Sequence, residues 1–280
     1  MARRLFCQLS PTAYRISVLK CRVMRRVRDL LHPSPFARTV SADPLPVSIY
    51  RHRSLIRRRL GNSDMTLQEN KAVNLALAAP RVNGLLIRPG EVFSFWRLVG
   101  NPTARRGYRE GLTITGGQAT SGIGGGMCQF TNLLHWMVLH TSLTITERHH
   151  HQGVDLFPDY NRQIPFGTGT SILYNYLDYR VVNNTDLTYQ LLVTTTDEYL
   201  CGEIRADRPQ ALAYHVRTEG ECFTREAGGV YRNGAVYRCA LDPVTGNQVE
   251  RTLLQVNHAK VLYDTAGLDL VEQAHSVPGP

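Results

Sequence analysis

The 280-residue chain has no Cys-x-x-Cys pair, and its six cysteines (Cys7, Cys21, Cys128, Cys201, Cys222 and Cys239) are scattered. That spacing writes neither a zinc ribbon nor a thioredoxin-type redox motif. Long apolar runs are also missing. Charged residues or proline interrupt every apolar stretch well short of a bilayer-spanning length, and the basic N-terminus lacks the apolar segment and small residues of a secretory signal. The expected location is therefore cytoplasmic, with reduced thiols. Tandem repeats and low-complexity tracts are absent too. With 42% hydrophobic residues, the chain still has the means to bury one substantial core with smaller additions.

Its positive charge is not evenly shared. Residues 1–60 hold fourteen Lys and Arg against only Asp29 and Asp43, a balance of +12 out of a total of +9, so the remaining residues are slightly acidic. Within that arm Ile16, Leu19, Val23, Val27 and Leu30 recur every three or four positions, which predicts an amphipathic helix over residues 12–31, ended by Pro33 and Pro35. Arg22, Arg25, Arg26 and Arg28 occupy its polar side. Such a helix either packs its apolar face on the domain and leaves the arginines in water, or lies on an anionic surface at the inner membrane face. No aromatic residues are interleaved among the arginines, so nucleic acid is not an expected partner.

Thr66 to Glu69 fits a capping box ahead of a helix through Lys71, Val73 and Leu77 that stops at Pro80. Pro89-Gly90 turns into Val92, Phe93, Phe95 and Trp96, read as a buried strand, with an aromatic ligand-binding wall as the alternative. Later segments alternate as strands: 172–182, a turn at 183–186, then 187–196 as its antiparallel partner. Asn233-Gly234 between Val230-Tyr231 and Val236-Tyr237 is a strong hairpin signal. The expected fold class is α+β, a mixed and mainly antiparallel sheet packed with a few helices. Three regions follow: a basic arm over 1–60, a core domain over 61–205, and a β-rich extension over 206–280.

Six glycines crowd residues 116–126 (Gly116, Gly117, Gly122, Gly124, Gly125 and Gly126), directly before a predicted helix that places Cys128 in its first turn. Unpaired amides and the helix dipole at that position favour a thiolate, and the loop amides of Gly124, Gly125 and Gly126 suit an oxyanion, carboxylate or phosphate. A helix climbing to His140 and a strand returning from Ser142 bring residues 147–151 level with Cys128. His149 and His151 share one face of that strand and Arg148 and His150 the other. His135 lies too far up the helix axis for a direct bond to the thiol. Asp155, Asp159 or Asp178 would orient the imidazole. The structural alternative is a small buried cysteine at a crowded helix start. A third reading, zinc held by Cys128, two histidines and Asp155, has no known ligand spacing behind it. No metal or other cofactor is expected.

The run Gly90 to Trp96, then Gly107-Tyr108, then Gly124 to Gln129 resembles the VanW family. So do Glu147-Arg148, His151, Pro165-Phe166-Gly167, Tyr174-Asn175-Tyr176, Asn183-Asn184 and Asp197-Glu198-Tyr199, over roughly residues 60–205. The resemblance implies a place in bacterial glycopeptide resistance or cell-wall metabolism, with a small-molecule or peptide cell-wall precursor as partner, and supplies no reaction of its own. Where the family has a small polar residue after its histidine, this chain has Gln152, preceded by two extra histidines. Two functions follow. One is a thiol-dependent hydrolase or acyltransferase with Cys128 as nucleophile, His151 or His149 as base and Asp155 behind it. The other is a non-catalytic binding protein whose loop, with Gln129 and Arg148 beside it, grips an anionic ligand near the membrane.

Overall fold

Ser10 and Pro11 open the first long element. The Ser10 hydroxyl accepts from the Ala13 amide at 3.1 Å, and a proline in the first turn sacrifices no hydrogen bond, so α1 runs Pro11–Leu30. The computed structural model describes residues 5–58, 65–115, 118–150, 153–159 and 163–271. After α1 come β1 (Val47–Leu55), α2 (Met65–Ala78), β2 (Leu85–Ile87), β3 (Val92–Ser94), α3 (Phe95–Val99), β4 (Glu110–Thr115), β5 (Gln118–Ile123) and α4 (Met127–Val138). Then follow β6 (Thr144–Glu147), β7 (Val154–Asp155), β8 (Arg180–Val182), β9 (Tyr189–Thr195) and β10 (Tyr199–Ala206). Last are β11 (Ala213–Glu226), β12 (Gly229–Leu241), β13 (Gln248–Val261) and β14 (Leu270–Val271).

The fold is α+β, as expected. Two small sheets, β1-β10-β9-β2 and β3-β8-β6, carry the core, and the hairpin β4-β5 leads into α4. The strand pairs are antiparallel except β11 with β14 and β13 with β7. Phe130, Leu133, Leu134 and Met137 of α4 are buried with Phe93, Phe95, Tyr179 and Leu200 in one cluster. Close approach of helix to sheet explains a glycine in a strand: a Cβ on Gly202 would lie 2.7 Å from Met137 Sδ.

The long C-terminal strands form a sheet of order β14-β11-β12-β13-β7. Its last member comes from the middle of the chain, because Val154 and Asp155 pair with Lys260 and Val261. Arg238 ties this sheet to the end of α4 by donating to the Leu139 carbonyl at 2.9 Å and to that of Thr141.

Three local expectations are corrected. Val92 to Trp96 is half strand and half helix, with Phe95 and Trp96 opening α3. The segments around 180 and 190 are not partners: β8 pairs with β3 and β6, whereas β9 pairs with β10 and β2, so the turn between them crosses from one sheet to another. Asn233-Gly234 does not turn at all. It sits inside β12 opposite a bulge of β11, where Glu219 pairs with Ala235 and Cys222 with Asn233. Gly234 takes φ 146° to accommodate it, 3.2 Å from Glu221 Cα at its Cβ position.

Candidate functional site

The glycine loop is a close-packed joint. Gly124 and Gly126 have φ of 81° and 104°, and Gly126 caps α4. A Cβ on Gly125 would stand 2.2 Å from the Gly111 carbonyl carbon, backbone against backbone. The Gly124 amide donates to Arg109 O at 3.0 Å and that of Gly125 to Gly122 O at 3.1 Å, so these two donors are already taken. Asn74 staples the joint: its Nδ2 donates to Arg109 O and Gly125 O, both at 2.9 Å, and its Oδ1 accepts from the Arg109 amide at 2.7 Å. Gly116 and Gly117 lie outside the described residues. Gln129 reaches sideways, donating to Ser54 Oγ and Leu55 O at 2.8 Å, which pins α4 to β1.

Lys71, one turn before Asn74 on α2, lays its stem on Gly126. It is buried, and burial with the nearby Arg58 and Arg57 charges lowers its amine to about 7. No acceptor for it occurs among the described residues. Sequence pattern alone gave Lys71 a structural place in a helix.

Cys128 does occupy the first turn of α4. Burial pushes its thiol up, opposed only in part by the Ile172 amide. The direction is opposite to the expected one for a physical reason: a helix terminus is worth about 0.3–1 kcal/mol, less than one pKa unit, and removal of the thiol from water opposes it.

The polar face of α4 above Cys128 is clamped by the loop 163–179. Thr170 meets Thr131 Oγ1 at 2.5 Å, and its amide and hydroxyl both donate to Asn132 Oδ1, at 2.6 and 2.8 Å. One turn higher, His135 Nδ1 pairs with Tyr179 Oη at 3.2 Å and Nε2 is buried with no partner. Burial, then the Arg148 and His150 charges, hold this imidazole well below its ordinary range. His135 thus stands buried on the same face of α4 as Cys128, seven residues further along.

Within the returning segment, Arg148 and His149 meet the loop. Arg148 donates to Gly169 O at 3.2 Å and to Gly167 O, and burial lowers its pKa. His149 pairs with Glu147 Oε1 at 3.0 Å, and its carbonyl accepts from Ser171 at 2.6 Å. His151 lies outside the described residues. Asp155 accepts from Arg232 at 3.3 Å and from Tyr263 at 3.1 Å, in the C-terminal sheet. Among the described residues no three His, Cys, Asp or Glu side chains converge as a metal site.

Glu147 belongs to a second cluster that joins α1 to the core. It accepts from Arg25 at 2.5 and 2.6 Å and from the Asp178 amide at 2.8 Å. Burial opposes its charge, but the Arg25 and Asp178 donors outweigh that and hold the carboxylate below its usual range. Asp29, buried in the last turn of α1, pairs with Arg180 at 2.7 and 3.1 Å. Asp178 accepts from Ser94 Oγ at 2.6 Å and Arg180 at 2.8 Å. The charged side of α1 is thus its docked side. Ile16, Leu19, Val23, Val27 and Leu30 face outward, exposed by 49 to 83%.

Residues 70–205 match the model of the VanW-like protein family. The chain belongs to the VanW family. It is 41% identical over 229 residues to the vancomycin B-type resistance protein VanW of Enterococcus faecalis, covering 81% of this chain and 82% of that protein. It is also 28% identical over 118 residues to the uncharacterized protein YoaR of Bacillus subtilis, 41% of this chain and 36% of that one. No solved structure matches the chain.

Proposed function

We propose that this chain serves glycopeptide resistance or cell-wall metabolism as a binding protein that rests on the anionic inner membrane face through α1 and holds a carboxylate- or phosphate-bearing ligand there. Kinship with a protein named for vancomycin resistance supports the process. The outward stripe of α1 carries the rest. Five apolar side chains at spacings of three and four lie exposed on a helix whose acid and two of its arginines are turned inward. Arg15, Lys20 and Arg26 flank that stripe, and no acidic partner for them occurs among the described residues. Fully buried aliphatic side chains gain about 1.5–3 kcal/mol each, and each cation near an anionic surface adds about 1 kcal/mol. No helix of the described residues is long and apolar enough to cross a bilayer, so α1 would lie in the plane of the interface.

Co-sedimentation of the full chain with vesicles tests this. The chain is expected to pellet with phosphatidylcholine vesicles containing phosphatidylglycerol, less so in high salt, and to stay in solution after joint Ile16→Glu, Val23→Glu and Val27→Glu substitution. Equal sedimentation of that variant, or a wild-type chain that ignores vesicles and instead dimerises through the stripe, overturns the proposal.

A thiol-dependent hydrolase or acyltransferase, acting on an amide or ester of a peptidoglycan precursor, is the second reading. One observation favours it: Cys128, Thr131, Asn132 and His135 line one face of α4, with His135 Nε2 unpartnered. In that reading the protonated thiol loses its proton to His151 or His149 once substrate arrives, and Arg148 holds the substrate.

A further inference from the structure

Between α1 and the core lies a hollow of about 380 Å³, a volume that suits a small ligand. Arg26 of α1, Arg38 of the following segment and Arg97 of α3 line it together with the aromatic rings of Phe36, Trp96 and Tyr174. Charge there is out of balance. The one carboxylate at the hollow, Asp29, is already satisfied by Arg180 at 2.7 and 3.1 Å, and Arg97 approaches it only to 3.5 Å. Arg26 and Arg38 are exposed, and neither has an ion pair or side-chain hydrogen bond among the described residues.

The aromatic wall is rigid. Trp96 is buried to 5% exposure with its indole nitrogen donating to Leu177 O at 2.9 Å, and it meets the Tyr174 ring edge-on at 5.6 Å. Arg97 lies over Phe36 at 4.1 Å, which holds its guanidinium across the hollow. Asn175, also in the lining, is the one described non-glycine residue with positive φ, at 47°.

Guanidinium forks recognise phosphate oxygens in pairs, and flat rings beside them pack the carbon body of a ligand. We infer that this hollow is a binding site for a phosphate-bearing ligand, its phosphate held by Arg26, Arg38 and Arg97 and its carbon body lying on Phe36 and Trp96. The inference deepens the function proposed above, since α1 forms one wall and places the site beside the surface that would face lipid. The phosphate could belong to a lipid headgroup of that surface or to a soluble phosphate ester.

The experiment separates these sources. Inorganic diphosphate is titrated into the full chain by calorimetry, and phosphatidylglycerol vesicles are bound in parallel. Wild type is compared with Arg26→Gln, Arg38→Gln, the control Arg28→Gln and the triple glutamate variant of the stripe. Loss of one charge-assisted contact should weaken binding about tenfold in Arg26→Gln and Arg38→Gln. The same loss of charge at Arg28, which does not line the hollow, should change diphosphate binding less than about twofold. Diphosphate binding that depends on Arg26 and Arg38 and survives in the stripe variant supports a soluble ligand, even if membrane docking fails. Vesicle binding alone depending on them supports a headgroup. Neither probe responding to Arg26 and Arg38, or Arg28→Gln weakening binding equally, overturns the site.

Discussion

α1 and α4 both carry apolar residues at helical spacing, and the molecule uses them in opposite ways. Nine of the twelve residues of α4 are buried, among them Phe130, Leu133, Leu134 and Met137, whereas α1 buries only Ala13 and Asp29 of its twenty. Hydrophobic periodicity reports that a helix has a face. It does not report which face finds the better partner. In α4 the partner is the aromatic core. In α1 it is the pair of carboxylates and guanidiniums formed by Asp29 with Arg180 and Arg25 with Glu147. Asp29 sits in a last turn, where the helix dipole disfavours an acid, and Arg180 offsets that.

The sharpest way to break this contrast is to neutralise the anchor. Asp29→Asn keeps the shape but leaves Arg180, whose side chain is 8% exposed, without one of its charged partners. Removing one member of a buried pair costs about 3–5 kcal/mol, here toward the lower end because Asp178 remains with Arg180. The expected outcome is loss of hydrogen-exchange protection across residues 11–30 while α4 keeps its own. Unchanged protection of α1 would mean that some other contact holds it.

Much of the core was legible from the chain. The α+β class and the helix that holds Cys128 in its first turn follow from period, length and turn chemistry. What was not legible depends on residues far apart. The partners of Arg25 and Asp29 lie more than a hundred positions away, so the inverted docking of α1 leaves no local trace. Gly125 is required by the approach of Gly111, a backbone contact that the local sequence does not announce. Asn233-Gly234 has the chemistry of a turn and serves a bulge instead, because the β11 strand opposite supplies an extra residue. At Cys128, loss of contact with water through residues far along the chain opposes the local argument for a thiolate.

That last point sharpens the comparison, since α4 would be the reactive helix only if its sulfur ionised readily. In a chain with Cys128 as its sole cysteine, alkylation followed against pH should show a midpoint above the ordinary thiol value of about 8.5. Burial raises the pKa, so the reactive thiolate is scarce below that midpoint and accumulates only as pH rises through it. At neutral pH the rate should fall below that of a free thiol. A midpoint under 7 would restore the nucleophile and make the second functional reading the better one.

The smallest effect is the most telling about α1. Val23 is 51% exposed on its outward stripe, and valine and serine have similar helix propensities. Val23→Ser should therefore shift the unfolding midpoint in buffer by less than the equivalent of about 0.5 kcal/mol. Leu134→Ala in α4, fully buried, should cost about 2–5 kcal/mol. If Val23→Ser proves as costly in dilute solution as a core truncation, the stripe is already covered by protein, most simply by a second copy of the chain. If it is silent in buffer yet weakens vesicle binding, then the surface that stabilises these side chains is not part of the fold, and the inverted packing of α1 serves what lies outside it.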